Sequence, residues 1–391
     1  MSNWYQDKDQ LSVELEKHGT YAEVARAHGL SEHTIARWTK KLDLNPPNQQ
    51  VTFNTGAPSR TELLEHENAE LRAALSQSHK AAIRDERMVA TLEQMVPAFE
   101  PQYLPFKPKI NANSKQFTEH AFVLLWSDLH AAEQVFLDQM GGVNEYDWGI
   151  MLKRHDVIVD AITSFQENRP YPVRKLYIAG LGDMVTGDIH DELRVTNEKV
   201  IMESALQLGL DGAKFIERLV PLFDEIEFHG IVGNHGRMSK KPTAKNQHDN
   251  FDWMVYQLLA LCLLKYPSVK IHIPKSAFTW FKVFDRFQCF MLHGDGIPTN
   301  MPGIPWGGVQ RRIREIERQF EPLIGKIDHF LIGHFHQPNV IDNRRIIVNG
   351  SVKGTDEYSI KRYGSGSPAT QLMLTFHPKR GLTETPYLDL Q

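Results

Sequence analysis

The sequence has few of the features that mark secreted, membrane-bound or disulfide-linked proteins. Its 391 residues include only two cysteines, Cys262 and Cys289, and both lie in apolar stretches. A disulfide framework and a thiolate zinc site are therefore excluded, and a reducing compartment is expected. The longest apolar runs, such as Leu258–Leu264, are far shorter than the roughly 20 residues that span a bilayer. The first ten residues are polar and lack signal-peptide features, which predicts a cytoplasmic protein without membrane contact.

Two further absences restrict the function. The formal net charge is −4, so no global positive field attracts nucleic acid, and DNA binding would need a local patch. The sequence also lacks a phosphate-binding loop of the Gly-x-x-x-x-Gly-Lys-Ser/Thr type. A step driven by ATP would therefore need a separate ATPase partner.

Two proline-rich stretches divide the chain into three parts. Residues 45–59 and 97–117 contain several prolines and show neither helical nor strand periodicity, so we predict linkers at both places. The remaining parts are predicted to be a helix-turn-helix at 8–44, a coiled-coil helix at 60–96 and a large domain at 118–391.

The segment 8–44 has the spacing of two short helices joined by a tight turn. Ala25 is small where two helices must approach, Gly29 suits a turn with positive φ, and Ser31 is a good N-cap. The pattern resembles a helix-turn-helix, whose second helix would turn Ile35 and Trp38 inward. The outer face of that helix carries our predicted DNA contacts, His33, Arg37, Lys40 and Lys41. Since the local charge is nearly balanced, a helical module for protein contacts is the alternative.

Residues 60–96 contain no proline or glycine and show a heptad repeat. The seam is interrupted by the polar residues Asn68, Ser78 and Asp85. We predict a coiled coil that makes a homodimer, which would suit a helix-turn-helix that binds paired half-sites. A single amphipathic helix packed on its own domain is the alternative.

Beyond residue 118, short apolar runs typical of strands recur with helical stretches between the early ones. This alternation predicts an α/β sandwich with helices outside. Five of the runs are followed by side chains that can bind metals, and ligands bind at the carboxyl edge of such sheets. In extended backbone, residues i and i+2 share a side, so Asp128 and His130 are expected to point to one place, and so are His334 and His336. The side chains are Asp128 and His130, Asp183, Asn234 and His235, His293, and His334 and His336.

The donor types predict which ions this edge would bind. Imidazole, carboxylate and carboxamide groups suit manganese, iron or zinc and argue against calcium. Even seven of these eight groups exceed the needs of one tetrahedral ion. They suit two divalent ions, which in shared sites lie about 3.5–4 Å apart and act together on a phosphoryl group.

The order of the five blocks resembles that of the calcineurin-like metallophosphoesterases, over about residues 118–375. The resemblance implies a β-sandwich flanked by helices and two divalent metal ions, with manganese preferred and iron or zinc as alternatives. It further implies that Asp183 bridges both ions and that His235 contacts the phosphate and protonates the leaving oxygen. The remaining ligands would be Asp128, His130 and His336 for the first ion, and Asn234, His293 and His334 for the second.

The chain departs from the family pattern at one position. The family usually has Asp or Glu directly after Gly-Asn-His, whereas this chain has Gly236. The missing carboxylate would orient the histidine or a ligand. Asp249, Asp252 or Asp295 could substitute for it.

The superfamily includes protein phosphatases, nucleotide phosphodiesterases and DNA nucleases, and the metal blocks do not separate them. A helix-turn-helix and a dimerising helix would bring the catalytic domain to DNA. The arrangement resembles the nuclease subunit of SbcCD-type complexes and phage-encoded phosphoesterases. We therefore expect a two-metal DNA nuclease. The alternatives are a phosphomonoesterase or nucleotide phosphodiesterase with an N-terminal assembly module, and a DNA-binding regulator whose phosphoesterase domain is inactive.

Overall fold

The computed structural model describes residues 4–44, 118–241, 245–298, 303–363 and 366–391, with six isolated residues between 68 and 79. The chain divides into two compact units, Met1–Glu86 and Arg87–Gln391. The predicted linkers at 45–59 and 97–117 lie outside the described residues. So does most of the predicted coiled coil, where the six described residues are helical and exposed. The dimer therefore stays a prediction.

Residues 4–44 of the N-terminal unit contain three short α-helices, each begun by a side-chain cap. They are α1 (Lys8–His18), α2 (Tyr21–His28) and α3 (Glu32–Lys41). As predicted, Gly29 ends α2 with φ 64° and the Ser31 hydroxyl accepts the Thr34 N–H at 3.2 Å. Val24, Ala25 and Ile35 are buried between the helices. The predicted helix-turn-helix is confirmed.

The described residues of the second unit include twelve strands that form two sheets. The strands are β1 (His120–Trp126), β2 (Val173–Gly180), β3 (Glu225–Gly230), β4 (Val269–His272), β5 (Phe278–Val283), β6 (Phe287–Leu292), β7 (His329–Ile332), β8 (Asn339–Ile341), β9 (Ile346–Val348), β10 (Thr370–His377), β11 (Gly381–Glu384) and β12 (Tyr387–Asp389). The first sheet has the order β11-β10-β1-β2-β3-β4, with β12 on β10, and the second has the order β5-β6-β7-β9-β8. Strands β1 to β4 are parallel, as are β6, β7 and β9.

Over the same described ranges, six α-helices accompany these strands. They are α4 (Trp148–Asn168), α5 (Asp191–Thr196), α6 (Ile201–Leu219), α7 (Phe251–Leu263), α8 (Trp306–Ile324) and α9 (Glu357–Tyr363). Alternate residues of β1 show how the layers pack. Phe122, Leu124 and Trp126 join the core beneath α4, α6 and α7, whereas Val123 and Leu125 join the core between the two sheets.

Helix α8 packs on the outer face of the second sheet through Val309, Ile313 and Ile316. The unit is therefore a two-sheet sandwich with helices on both outer faces, which confirms the predicted α/β class. The sequence predicts strands at the apolar runs 121–126, 175–179, 227–232, 269–273, 287–292, 329–332 and 345–348. These runs match β1 to β4, β6, β7 and β9 to within two residues at their ends, whereas β5, β8 and β10 to β12 were not predicted. Among the described helices, none is both long enough and apolar enough to cross a membrane.

Candidate metal centre

The five predicted blocks meet where parallel strands of both sheets end. The loop after β1 is joined to the loop after β2 by the Asp128 N–H, which donates to Gly182 O at 3.0 Å. In the second sheet, the Gly333 N–H donates to His293 O at 2.9 Å. The Asp128 carboxylate links the two sheets because its Oδ1 accepts the His334 N–H at 2.9 Å.

One group of ligand atoms comprises Asp128, His130 and His336. His130 Nε2 lies 3.0 Å from His336 Nε2, which in turn lies 3.4 Å from Asp128 Oδ1. Ring nitrogens and a carboxylate oxygen that converge at such distances match the edges of a coordination shell with bonds of about 2.0–2.2 Å. These residues therefore fit a divalent ion.

A second group comprises Asp183, Asn234, His293 and His334. His293 Nε2 lies 3.0 Å from Asp183 Oδ2 and 3.1 Å from Asn234 Oδ1. Its other ring nitrogen lies 2.7 Å from Leu181 O, so Nδ1–H donates there and Nε2 is left to face the site. Ligand atoms of Asp183, His293 and His334 all lie within 4.8 Å of one another.

The two groups adjoin each other at Asp183. This carboxylate also lies within 4.8 Å of ligand atoms of His130 and His235, so it contacts residues on both sides of the site. All seven predicted ligands are thus brought together, and their coordination roles stay predictions. A carboxylate that bridges two ions must lie between their two groups of ligands, and Asp183 has this position.

The backbone explanation given above for this convergence is wrong. Asp128, His130, His334 and His336 have φ of 54°, 49°, 69° and 56°, so all four are in the left-handed region and not in extended strands. Each strand has already ended, and the chain turns sharply at the site. Such conformations of residues other than glycine cost about 1–3 kcal/mol each and cluster at functional sites. Asp183, with φ 52°, shares this geometry.

Close approach of two loops requires glycine beside Asp183. A Cβ on Gly233 would lie 2.2 Å from Asp183 Oδ1, and a Cβ on Gly182, where φ is 91°, would lie 2.3 Å from Gly233 N. Any larger residue at either position would push the loop that carries Asp183 away from the loop that carries Asn234.

The charges of the buried ligands are strongly interdependent. Burial would lower the pKa of His293, but the adjacent Asp183 carboxylate outweighs burial and raises this pKa above its usual value. Burial and the nearby His293 lower the pKa of His334 to about 4. A divalent cation bound here would replace the proton of His293, so metal binding should release a proton.

His235 lies beside the ligands with one ring edge fixed. Its Nδ1 is 2.8 Å from Thr186 O, and its backbone N–H donates to Asp183 Oδ1 at 2.7 Å. The ring centroid is 4.5 Å from that of His130 and 5.5 Å from that of the exposed His190. Because a carbonyl oxygen only accepts, Nδ1–H donates to Thr186 O, and Nε2 is the ring nitrogen that takes no part in this bond.

Gly236, which stands where the family usually has an acidic residue, has no room for a side chain. A Cβ on Gly236 would lie 2.2 Å from Asn250 Oδ1. Two residues beyond Asn250, the fully buried Asp252 accepts the N–H groups of Asp183 and Gly233, both at 2.8 Å, and that of Met184 at 3.0 Å. Of the three substitutes named above, Asp252 is the one that contacts the site. Its signal in the sequence is weak, because Asn-x-Asp also marks an ordinary helix start, here that of α7.

A buried ion network supports the His130 side of the site. Lys353 Nζ lies 2.8 Å from Glu133 Oε1 and also contacts Asp356. Thr186 donates its hydroxyl to His130 O at 2.7 Å and lies 3.4 Å from Glu133 Oε2. These polar residues were not predicted, because each becomes recognisable only when distant loops are brought together.

The predicted DNA contacts lie on the surface of α3. His33, Arg37, Lys40 and Lys41 are all exposed, and their spacing places them along one side of the helix. Lys41 Nζ lies 4.1 Å from the Trp38 ring centroid, a cation–π contact that holds its ammonium near the helix. This surface is available to phosphates, and its binding to DNA stays a prediction.

Comparison with known proteins supports the N-terminal assignment. A helix-turn-helix family model described as Transposase matches residues 10–76. No curated protein matches the chain.

Comparison with solved structures gives matches of low similarity. Vps29 from Entamoeba histolytica, as a single mutant, is 12% identical, with a TM-score of 0.29, over 68% of this chain and 98% of that one. A predicted phosphoesterase from Streptococcus pneumoniae is 10% identical, with a TM-score of 0.26, over 68% and 97%. Phosphopantetheinyl hydrolase from Mycobacterium tuberculosis is 12% identical, with a TM-score of 0.23, over 59% and 90%. Scores this low carry no argument about function.

Proposed function

We propose that this protein is a two-metal phosphoesterase that hydrolyses phosphodiester bonds in DNA. The observation that carries the proposal is the convergence of seven nitrogen and oxygen donors in two groups that adjoin at Asp183. Bound divalent ions would activate water and offset the charge of the phosphoryl oxygens. Because no thiolate is near, manganese or iron suits the donors as well as zinc does.

The protein residues supply orientation and proton transfer. Asp128, His130 and His336 would hold one ion, Asp183 would contact both, and Asn234, His293 and His334 would hold the other. His235 would give a proton from Nε2 to the leaving oxygen while its Nδ1 stays hydrogen-bonded to Thr186 O. An alkoxide is a poor leaving group without a proton. A ring held in one orientation would keep the proton donor in place for that oxygen.

The N-terminal unit favours DNA as the substrate. A helix-turn-helix that presents His33, Arg37 and Lys40 on its exposed helix can contact the phosphate backbone. It would raise the local concentration of DNA near the phosphoesterase unit, to which it is joined through the chain. The proposal includes a cytoplasmic location, and it leaves a separate ATPase partner and a homodimer through 60–96 as further hypotheses.

Parallel hydrolysis assays test the substrate class. With Mn²⁺, we expect cleavage of labelled duplex DNA and of bis-p-nitrophenyl phosphate, and weaker hydrolysis of p-nitrophenyl phosphate. Asp183→Ala should abolish all three activities, which excludes a contaminating enzyme. Hydrolysis of the monoester alone would contradict the nuclease and favour a phosphatase in which the N-terminal unit serves assembly. No metal-dependent hydrolysis of any substrate would favour the inactive DNA-binding regulator.

A further inference from the structure

Three side chains that can bind a metal also meet in the N-terminal unit. Glu14 and His18 are one turn apart on α1, and His28 is the last residue of α2. Glu14 Oε2 lies 2.7 Å from His28 Nε2 and 3.3 Å from His18 Nε2. The three ligand atoms all lie within 4.8 Å of one another. We propose that Glu14, His18 and His28 bind a zinc ion that links α1 to α2.

The geometry is close to that of a four-coordinate ion. Zinc bonds of about 2.0–2.1 Å in a tetrahedron separate neighbouring ligand atoms by about 3.3–3.4 Å. The separation of 3.3 Å between Glu14 Oε2 and His18 Nε2 already has this value, and the distance of 2.7 Å to His28 Nε2 needs to open only slightly. One carboxylate and two imidazoles, completed by water, form a common zinc donor set.

The site is open to ions from solvent. The Glu14, His18 and His28 side chains are 20%, 26% and 32% exposed. A groove lined by Trp4, Gln10, Glu14 and His28 lies beside the ligand atoms and has room for a water molecule as the fourth ligand. The Trp4 ring centroid lies 4.4 Å from that of His28 and restricts the imidazole on one side.

A bound metal would stabilise the small helical unit. Among its described residues, five hydrophobic side chains form the buried core, namely Leu11, Leu15, Val24, Ala25 and Ile35. Units with so little buried surface are marginally stable, and many gain stability from a bound metal. His28 directly precedes Gly29, the turn residue that leads to α3. Holding His28 would therefore fix the direction in which the proposed DNA-contacting helix leaves α2.

A simple ion pair between Glu14 and a protonated His28 would give a similar arrangement. Partly exposed pairs of this kind contribute little to stability. The two explanations differ in the number of metal ions that the protein binds. A metal site loses an equivalent of bound ion when any ligand is removed, whereas an ion pair binds none.

Cobalt titration of the full-length protein separates these explanations. We expect metal-free Glu14→Gln and His28→Gln each to bind one Co²⁺ fewer per chain than the unsubstituted protein, and to lose the intense visible absorption of four-coordinate cobalt. His33→Gln, on α3 of the same unit, should bind as many ions as the unsubstituted protein. Asp183→Ala should lose ions of the proposed catalytic centre but keep this absorption, so failure of one site is distinguishable from failure of the other. Equal cobalt counts in the unsubstituted protein and Glu14→Gln would overturn the proposal.

Histidine NMR gives an independent readout without any substitution that could unfold the unit. On addition of Zn²⁺ to the full-length protein, the ring nitrogen signals of His18 and His28 should move to positions typical of metal-bound imidazole, with that of His33 unchanged. Unmoved signals of His18 and His28 in the folded protein would also overturn the proposal.

Discussion

The carboxylate of Asp252 holds the backbone of Asp183, whose N–H donates to Asp252 Oδ2 at 2.8 Å. The same oxygen accepts the Gly233 N–H, and Oδ1 accepts the N–H groups of Met184 and Val185 at 3.0 and 3.3 Å. One buried side chain thus joins the loop of the proposed bridging ligand to the loop of Asn234.

Asp252→Asn should weaken both folding and metal binding. In either orientation the amide NH₂ of asparagine would face two backbone N–H donors, and each buried group left unsatisfied costs about 1–3 kcal/mol. Loss of a residue that positions metal ligands lowers metal affinity by about 10- to 100-fold. Denaturant unfolding and Mn²⁺ titration measure the two effects. Asp249→Asn, at an exposed position, is the control, and equal behaviour of the two variants would show that Asp252 does not position the site.

Gly236→Ala should destabilise the protein although it adds only a methyl group. The new Cβ would lie 2.2 Å from Asn250 Oδ1, which is held in place as the acceptor of the Asp252 N–H at 2.8 Å. Overpacking of this kind costs about 1–3 kcal/mol in the free energy of unfolding. Gly236→Asp, which restores the usual family residue, should meet the same obstacle and give no gain in turnover.

Gly296→Ala is the matched control for this prediction, because nothing lies within 4 Å of a Cβ at that position. A Gly236→Asp variant with higher turnover and unchanged stability would mean that Asn250 does not block this position and that Asp252 does not replace the usual carboxylate.

His235→Ala should keep both metal ions and lose turnover on DNA. General acid catalysis contributes about 10²- to 10⁴-fold, so kcat on duplex DNA should fall within that range. The fall should be much smaller on bis-p-nitrophenyl phosphate, because p-nitrophenolate leaves without a proton. Metal content by mass spectrometry and kinetics on both substrates measure the effects. Loss of an ion in this variant would make His235 a ligand, a role its closeness to His130 and Asp183 also permits.

Arg37→Ala combined with Lys40→Ala should weaken DNA binding without changing the hydrolysis of small esters. The plot of log affinity against log salt has a negative slope, and each phosphate contact removed reduces its magnitude by about 0.9. The slope of the double variant should therefore be shallower by about 1.8. Fluorescence anisotropy with duplex DNA at several salt concentrations gives the slope. Glu32→Gln is a matched change on the same helix and should not reduce the slope. An unaltered slope in the double variant would favour the alternative of a protein-contact module.

Particular residues show how far the sequence could predict the fold and the site. The apolar runs at β1 and β2 and the caps Ser31 and Gly29 are local signals, and the structure confirms them. Strand β10 was missed because Thr370, Gln371 and Thr375 interrupt its apolar pattern, although all three are buried. Gln371 uses its side-chain oxygen to accept the Ser127 N–H at 3.0 Å, across 244 residues of sequence.

The predicted ligands converge, but by a different backbone geometry. Left-handed φ is uncommon for residues other than glycine. It is more frequent at Asp and His than at most other residues, but the residue order does not show that Asp128 and His130 adopt it. Asp252 likewise becomes identifiable as the carboxylate of the site only when α7 is placed against the loops after β2 and β3. Local patterns therefore predicted which residues meet, whereas tertiary contacts determine how they are held.

Anomalous diffraction from crystals grown with Mn²⁺ tests the two-metal centre most directly. We expect two anomalous peaks about 3.5–4 Å apart, with one Asp183 oxygen within bonding distance of each. Asp128, His130 and His336 should surround one peak, and Asn234, His293 and His334 the other. A single peak, or two peaks that do not share Asp183, would contradict the account.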